Sequence, residues 1–191
     1  KDLSTVRFKI LDDKYVPPDT TRFSILRKMT FFTEFDDVEV WEVLRFSNWR
    51  QYTEGTVLMR EGDSDNRFGL IVSGHVRVVV GGRLLAELGP GEVVGEMGYL
   101  DPNHLRRSAT VIASSPVAFL EVSPSALALA SEECLEHFRA QLISTVVQRL
   151  TRANSALAAQ GEQVVLATES GFSVIGGGID LELLPDTPAR R

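Results

Sequence analysis

The sequence predicts a mainly β domain, a compact sandwich or jelly-roll barrel of eight short strands, with helices before it and a long helix after it. Three observations carry that expectation. Between Trp49 and Val122 the chain breaks into short β-rich runs separated by glycine-containing turns. Ahead of them, Pro17-Pro18 and Asp36-Asp37 each precede a segment with helical apolar spacing. Behind them, Leu135, Phe138, Leu142, Val146, Leu150, Ala153 and Leu157 advance by three or four residues, which is the spacing of one helical stripe.

Taken in order, residues 1–18 form an extension of mixed charge whose closing Pro17-Pro18 blocks helix continuation. Asp19 or Thr20 can cap a helix running to about Met29, with Phe23, Ile25, Leu26 and Met29 as its apolar positions. A second helix starts at Asp36-Asp37, where acidic groups suit the positive end of the dipole, and keeps Val38, Trp41, Val43, Leu44 and Phe46 inside. Strands are expected at 49–53, 56–60, 68–72, 75–80, 84–88, 92–94, 108–113 and 117–122. Gly81-Gly82, between Val80 and Arg83, signals a two-residue hairpin, because a type I′ turn needs positive φ at both positions. Ser123-Pro124 supplies a cap and a proline at the first helical position, opening a short helix to about Ala130. Ser131-Glu132-Glu133 then opens the long helix, which Gly161 is expected to end near Ala159. The tail, 161–191, holds two β-like pieces, Val164–Ala167 and Phe172–Ile175, and shows no readable role.

Composition narrows the function. The net charge is −6 and no segment of the chain is net basic, so the clustered cations that displace counterions from a nucleic acid are missing and no nucleic-acid partner is expected. No apolar run is long enough to span a membrane, and no membrane partner is expected. The single cysteine, Cys134, rules out an internal disulfide and fits a reducing, cytoplasmic setting. The chain opens on Lys rather than Met, from which we expect a piece of a longer protein with an effector domain upstream.

Several candidate sites fail on spacing. Asp63-Ser64-Asp65-Asn66 begins like a calcium loop, but its sixth position is Phe68 rather than Gly and its twelfth is Gly74 rather than Glu. Gly89-Pro90-Gly91 starts like a dinucleotide fingerprint whose third glycine falls on Val94. His75, His104 and His137 lack metal-ligand spacing, and Cys134, one turn before His137, reads as a buried cysteine rather than a nucleophile. Paired carboxylates, a nucleophile elbow and a phosphate-transfer loop are all missing, so no catalysis, metal or cofactor is expected.

The informative stretch is 91–111, where a glycine-started helical turn interrupts the strands, Asp101-Pro102 closes it, and Arg106-Arg107 stand at the entry of the next strand. Free N–H groups at a helix start attract an anion. An arginine beside them can grip two phosphate oxygens, and a carboxylate on the same turn can accept a hydroxyl. These groups suit a ligand with one phosphate charge and a nearby hydroxyl.

Here the sequence resembles the cyclic nucleotide-binding domain family, which includes the regulatory subunits of cyclic-nucleotide-dependent kinases and the bacterial catabolite activator protein. Gly-Glu-Met-Gly-Tyr-Leu at 95–100 and Arg-Ser-Ala-Thr-Val at 107–111 are similar to the family's phosphate-binding cassette. Arg60-Glu61-Gly62-Asp63 and Phe68 through Gly74 resemble the β-roll turns that precede it, and Phe31-Phe32 with the helix at 36–46 resembles the helical lead-in. The resemblance implies an eight-stranded β-roll at 49–122, inside a binding domain at 19–160 with a lead-in at 19–48 and closing helices at 123–160.

It further implies that Glu96 accepts the ribose 2′-hydroxyl and Arg107 pairs with the cyclic phosphate, with Gly95 and Met97 on the same turn. Backbone N–H groups around Gly98 and Ala109, with the Ser108 hydroxyl, would complete the cradle. Leu84, Val94, Met97 and Val111 would wall the base and sugar, and Asn154 on the long helix would contact the base. Arg106, where the family often has Pro, could compete for the phosphate. The implied ligand is cAMP, with cGMP the alternative, and binding would reposition the long helix for an effector. That helix could also pair with a second copy of this chain. The rival expectation is a ligand-free β-roll serving as a dimerisation or interaction module, with Glu96 capping a turn and Arg107 paired to a surface acid.

Overall fold

The computed structural model describes residues 16–101 and 106–169. Helix α1, Asp19–Leu26, starts one residue earlier than a cap at Asp19 would place it and two earlier than a cap at Thr20 would. Pro18 is the cap residue, and its carbonyl accepts the N–H groups of Thr21 and Arg22. A 3-10 turn at Thr30–Phe32 leads to α2, Asp37–Phe46. The Asp36 side chain accepts the Glu39 N–H at 2.8 Å while Glu39 accepts the Asp36 N–H at 2.6 Å, a reciprocal capping box. Val38 and Trp41 were expected inside α2 and are exposed instead. The face carrying Val40, Val43 and Leu44 meets the core, and Trp41 stacks on Phe23 at 4.7 Å between ring centroids.

All eight expected strands form. They are β1 Ser47–Tyr52, β2 Val57–Met59, β3 Phe68–Ser73, β4 Val76–Val80, β5 Arg83–Leu88, β6 Val93–Val94, β7 Thr110–Ala113 and β8 Val117–Val122. They make two antiparallel four-stranded sheets, ordered β1-β8-β3-β6 and β2-β7-β4-β5. The β4–β5 hairpin turns on Gly81 and Gly82, at φ of 54° and 79°, with Val80 opposite Arg83. A four-residue helix α3, Met97–Leu100, sits between β6 and β7.

Two apolar clusters flank the first sheet. One joins Leu26, Phe31, Phe32, Trp49, Phe68, Leu70, Ala118, Leu120 and Phe138, where the helices lie against the sheet. The other fills the space between the sheets with Met59, Ile71, Val76, Val94, Val111, Val117 and Phe119. Every residue of β8 is buried because the strand has packed neighbours on both faces. Alternation then assigns Ala118, Leu120 and Val122 to the helices, and Val117, Phe119 and Glu121 to the interior of the roll.

After β8, helix α4 spans Pro124–Leu127, capped by the Ser123 hydroxyl that accepts the Ala126 N–H at 3.2 Å; it is shorter than the expected run to Ala130. Helix α5 runs from Glu132 to Glu169, past Gly161. One glycine costs a helix about 1 kcal/mol relative to alanine, less than its flanking residues can offset. The β-like piece Val164–Ala167 therefore lies in a helix, while Phe172–Ile175 falls outside the described residues. The expected single stripe also divides. Cys134, Phe138 and Leu142 are buried, whereas Leu150 and Leu157 are exposed. The chain separates into two units, Lys1–Val147 and Gln148–Arg191. The described part of the second is helical.

Candidate functional site

The turn between β6 and α3 places the candidate residues. Gly95 has φ of 81°, a conformation that favours glycine, and a Cβ there would lie 2.6 Å from Arg107 Nη1, 2.8 Å from Met59 Cε and 2.9 Å from the Arg67 carbonyl. Gly95 is therefore the residue that lets the arginine lie against the backbone. Glu96 follows as the first residue of the turn and is buried, with its carbonyl accepting the N–H groups of Tyr99 and Leu100. Gly98 is less constrained: an added Cβ would meet nothing closer than 3.7 Å.

Arg107 is buried, at 7 % exposure, and is held at both backbone and side chain. Its N–H donates to the Asp63 carbonyl and its own carbonyl accepts the Gly62 N–H, both at 2.9 Å. Its guanidinium donates to the Gly95 carbonyl through Nη1 at 3.3 Å, to the Arg67 carbonyl through Nη2, and pairs with Asp65 at 3.0 Å. Arginine carries five N–H donors. Among the described residues Nε finds no acceptor, although it is buried.

Arg106 is exposed, and its Nη1 donates to the Gly62 carbonyl at 2.8 Å. The structure thus puts Arg107, and not Arg106, against Gly95. Ser108 is exposed and Ala109 half-buried beside it. Val94 and Val111 lie in the inter-sheet core next to Met59. Met97 is exposed on α3. Leu84, expected as a wall, stands 62 % exposed because β5 is the edge strand of its sheet. Asn154 is exposed within the second unit. The interval 102–105 lies outside the described residues.

Sequence reasoning missed Asp65 and Arg67. Asp65 belongs to the segment rejected as a calcium loop, and its acid signal found a different partner. Arg67 donates to it from its backbone N–H and from Nε, each at 3.0 Å. Partial burial pushes the Asp65 carboxyl up, but the hydrogen bonds from the Arg67 side chain and backbone and from Arg107 outweigh it and hold the group at about 2. A depressed folded pKa contributes stability that is present above the unfolded value of 3.8 and is lost as pH falls through about 2. Asp65→Asn should therefore flatten the decline of melting temperature across that window. An unaltered acid melting profile in the variant would show that the pair contributes nothing.

Cys134 lies apart from this site. Burial, with Glu42 and Glu39 nearby, pushes its thiol up to about 12, which leaves little thiolate for nucleophilic chemistry. Its neighbour His137 pairs with Glu39 at 2.7 Å, tying α5 to α2.

Residues 49–132 match the family model of the cyclic nucleotide-binding domain. That segment belongs to the cyclic nucleotide-binding domain family. The chain is 32 % identical over 110 residues to the Pycsar effector protein XpPycTIR of Xanthomonas perforans, covering 58 % of this chain and 36 % of that protein. It is 34 % identical over 135 residues to Glutaminase 2 of Bradyrhizobium diazoefficiens, covering 68 % of this chain and 21 % of that one. The solved Thermus thermophilus catabolite activator protein matches this chain with a TM-score of 0.56 at 31 % identity, over 69 % of this chain and 62 % of that one. The chain thus spans about a third or less of the length of the two curated relatives. The match makes the segment a domain of the cyclic nucleotide-binding type. Among the described residues no helix is long and apolar enough to cross a membrane.

Proposed function

We propose that this domain binds a cyclic nucleotide, preferentially cAMP, between Glu96 and Arg107, and that it acts as a sensor without catalysis of its own. The observation that carries the reading is the buried guanidinium of Arg107, fixed against Gly95 beside the buried Glu96, with a buried Nε donor that no described residue accepts. Such a group suits a phosphate oxygen, which accepts a charge-assisted bond. Glu96 would accept the 2′-hydroxyl, the free hydroxyl of a 3′,5′-cyclic ribose. Ser108, rather than the threonine often used by guanine-selective relatives, favours adenine.

The Asp65–Arg107 pair favours a second reading, the ligand-free module, since a carboxylate already neutralises the arginine. Melting with ligand separates the two. A ligand at a hundred times its Kd stabilises the folded state by about 2.7 kcal/mol, which for a chain of this size raises Tm by roughly 5–10 °C. Cyclic AMP should produce that rise and cyclic GMP a smaller one. A larger rise with cyclic GMP would reverse the base preference, and no rise with either would leave the interaction module standing.

The output is proposed to pass through α5 to an effector elsewhere in the full protein, in a cytoplasmic setting. The relatives' greater length is what supports an effector outside this segment. Ile143, Val147, Leu150 and Leu157 are exposed and recur at spacings of three, four and seven, which suits pairing of α5 with a second copy.

A further inference from the structure

A chain of alternating charges leads from the interior of the roll to Arg107. Glu121 lies on β8 with its side chain only 9 % exposed. Its Oε1 meets Arg50 Nε at 3.3 Å and its Oε2 meets Arg67 Nη1 at 3.1 Å. Arg67 turns its other edge to Asp65, with Nε to Oδ1 and Nη2 to Oδ2 both at 3.0 Å, and Asp65 Oδ2 meets Arg107 Nη2 at 3.0 Å. The order is Arg50, Glu121, Arg67, Asp65, Arg107. The Arg67 carbonyl also accepts from Arg107, so Arg67 touches both members of the pair at the candidate site.

Stability does not account for a carboxylate at this position. Alternation puts Glu121 on the same face of β8 as Val117 and Phe119, where an apolar side chain would pack without the cost of desolvating a charge. What the carboxylate does do is hold the planar Arg67 guanidinium from the edge opposite Asp65. Gripped from both sides, that plane cannot swing, and Asp65 and the Arg67 carbonyl stay where Arg107 needs them. Tyr52, whose hydroxyl is pushed above its usual range by burial and by Glu121, shares this corner.

We infer that Glu121 is a positioning residue for ligand binding, acting through Arg67 on Asp65 and Arg107. The inference rests on the cyclic-nucleotide reading above. It predicts the opposite sign from a simple charge argument. Removing a negative charge near the site should by itself tighten binding of an anion, whereas losing the clamp should weaken it.

The test is titration calorimetry of cyclic AMP and cyclic GMP against the full chain and its Glu121→Gln, Arg67→Lys, Asp65→Asn and Glu121→Gln/Asp65→Asn variants. Glu121→Gln should weaken the tighter ligand by about five- to twentyfold with Tm unchanged to within a few degrees. The double variant should lose less than the product of the single losses, because both carboxylates act through the same arginine. Unaltered or tighter binding by Glu121→Gln overturns the inference, as does full multiplicativity of the two losses, which a merely structural role would give. Should Glu121→Gln fail to fold, Arg67→Lys carries the test, since that half-exposed side chain keeps its charge and loses only its fork. It should weaken binding to the same degree, and wild-type affinity overturns the inference. If the wild-type chain binds neither nucleotide, the functional reading fails and the inference falls with it. If it binds and the variants match it, only the inference fails.

Discussion

Arg107→Ala should abolish measurable cyclic nucleotide binding while Arg106→Ala leaves it within about twofold. The two arginines are adjacent in sequence and opposite in environment. Arg107 is buried and fixed by Asp65, the Gly95 carbonyl and the Arg67 carbonyl, so a phosphate arriving there meets a donor array already oriented. Arg106 is exposed, with a side-chain bond to the Gly62 carbonyl. Charge-assisted bonds contribute about 1.5–3 kcal/mol each, so losing two weakens affinity by at least about a hundredfold. Folding should survive the truncation, because Arg67 still neutralises Asp65. Calorimetry on both variants decides the matter. Lost affinity in Arg106→Ala with wild-type affinity in Arg107→Ala would assign the phosphate to the other arginine.

Phe138→Ala should cost about 3–5 kcal/mol, measured as a lowered urea midpoint at constant slope. The ring is fully enclosed and meets Phe31, Phe35, Phe46 and Phe68 at centroid distances of 5.2, 5.9, 6.0 and 6.1 Å. These neighbours come from the 3-10 turn and the segment after it, from α2 and from β3. A single side chain on α5 thus joins the helical lead-in to the sheet. Truncation leaves a cavity that close-packed aromatic rings cannot collapse to fill. The loss is a large share of the 5–15 kcal/mol that holds a typical domain folded. A cost below about 1 kcal/mol would mean that the first turns of α5 are not anchored to the roll through this ring.

The strands, their turns and the short helix after β6 are legible in the sequence because their signals are local. Gly81-Gly82 needs only its own two φ angles to make a hairpin, and Gly95-Glu96 through Leu100 announces a turn by residue type and spacing. The capping box is less legible although its two residues are three apart, because Asp36 beside Asp37 reads equally as a pair of acids at the helix dipole. The stripe on α5 divides for another reason. A helical wheel shows which residues share a face, but not how far along the helix a partner extends, and burial stops after Leu142. Val38 and Trp41 were placed inside α2 on hydrophobicity alone, whereas the face that meets the core is set by neighbouring elements.

By itself the sequence determined an eight-stranded roll between helices, with a glycine-started helical turn after the sixth strand, since turn glycines, capping residues and two-residue alternation act over a few residues. Tertiary structure alone decided which arginine is buried, that Asp65 stands against it, and that Glu121 reaches the same corner through Arg67. Those partners are separated by 42 residues between Asp65 and Arg107 and by 54 between Arg67 and Glu121. Each side chain read singly is an ordinary surface charge. Only antiparallel pairing of β8 with both β1 and β3 sets Glu121 between Arg50 and Arg67, and only the backbone bonds joining 62–63 to Arg107 press that guanidinium against Gly95 and Asp65.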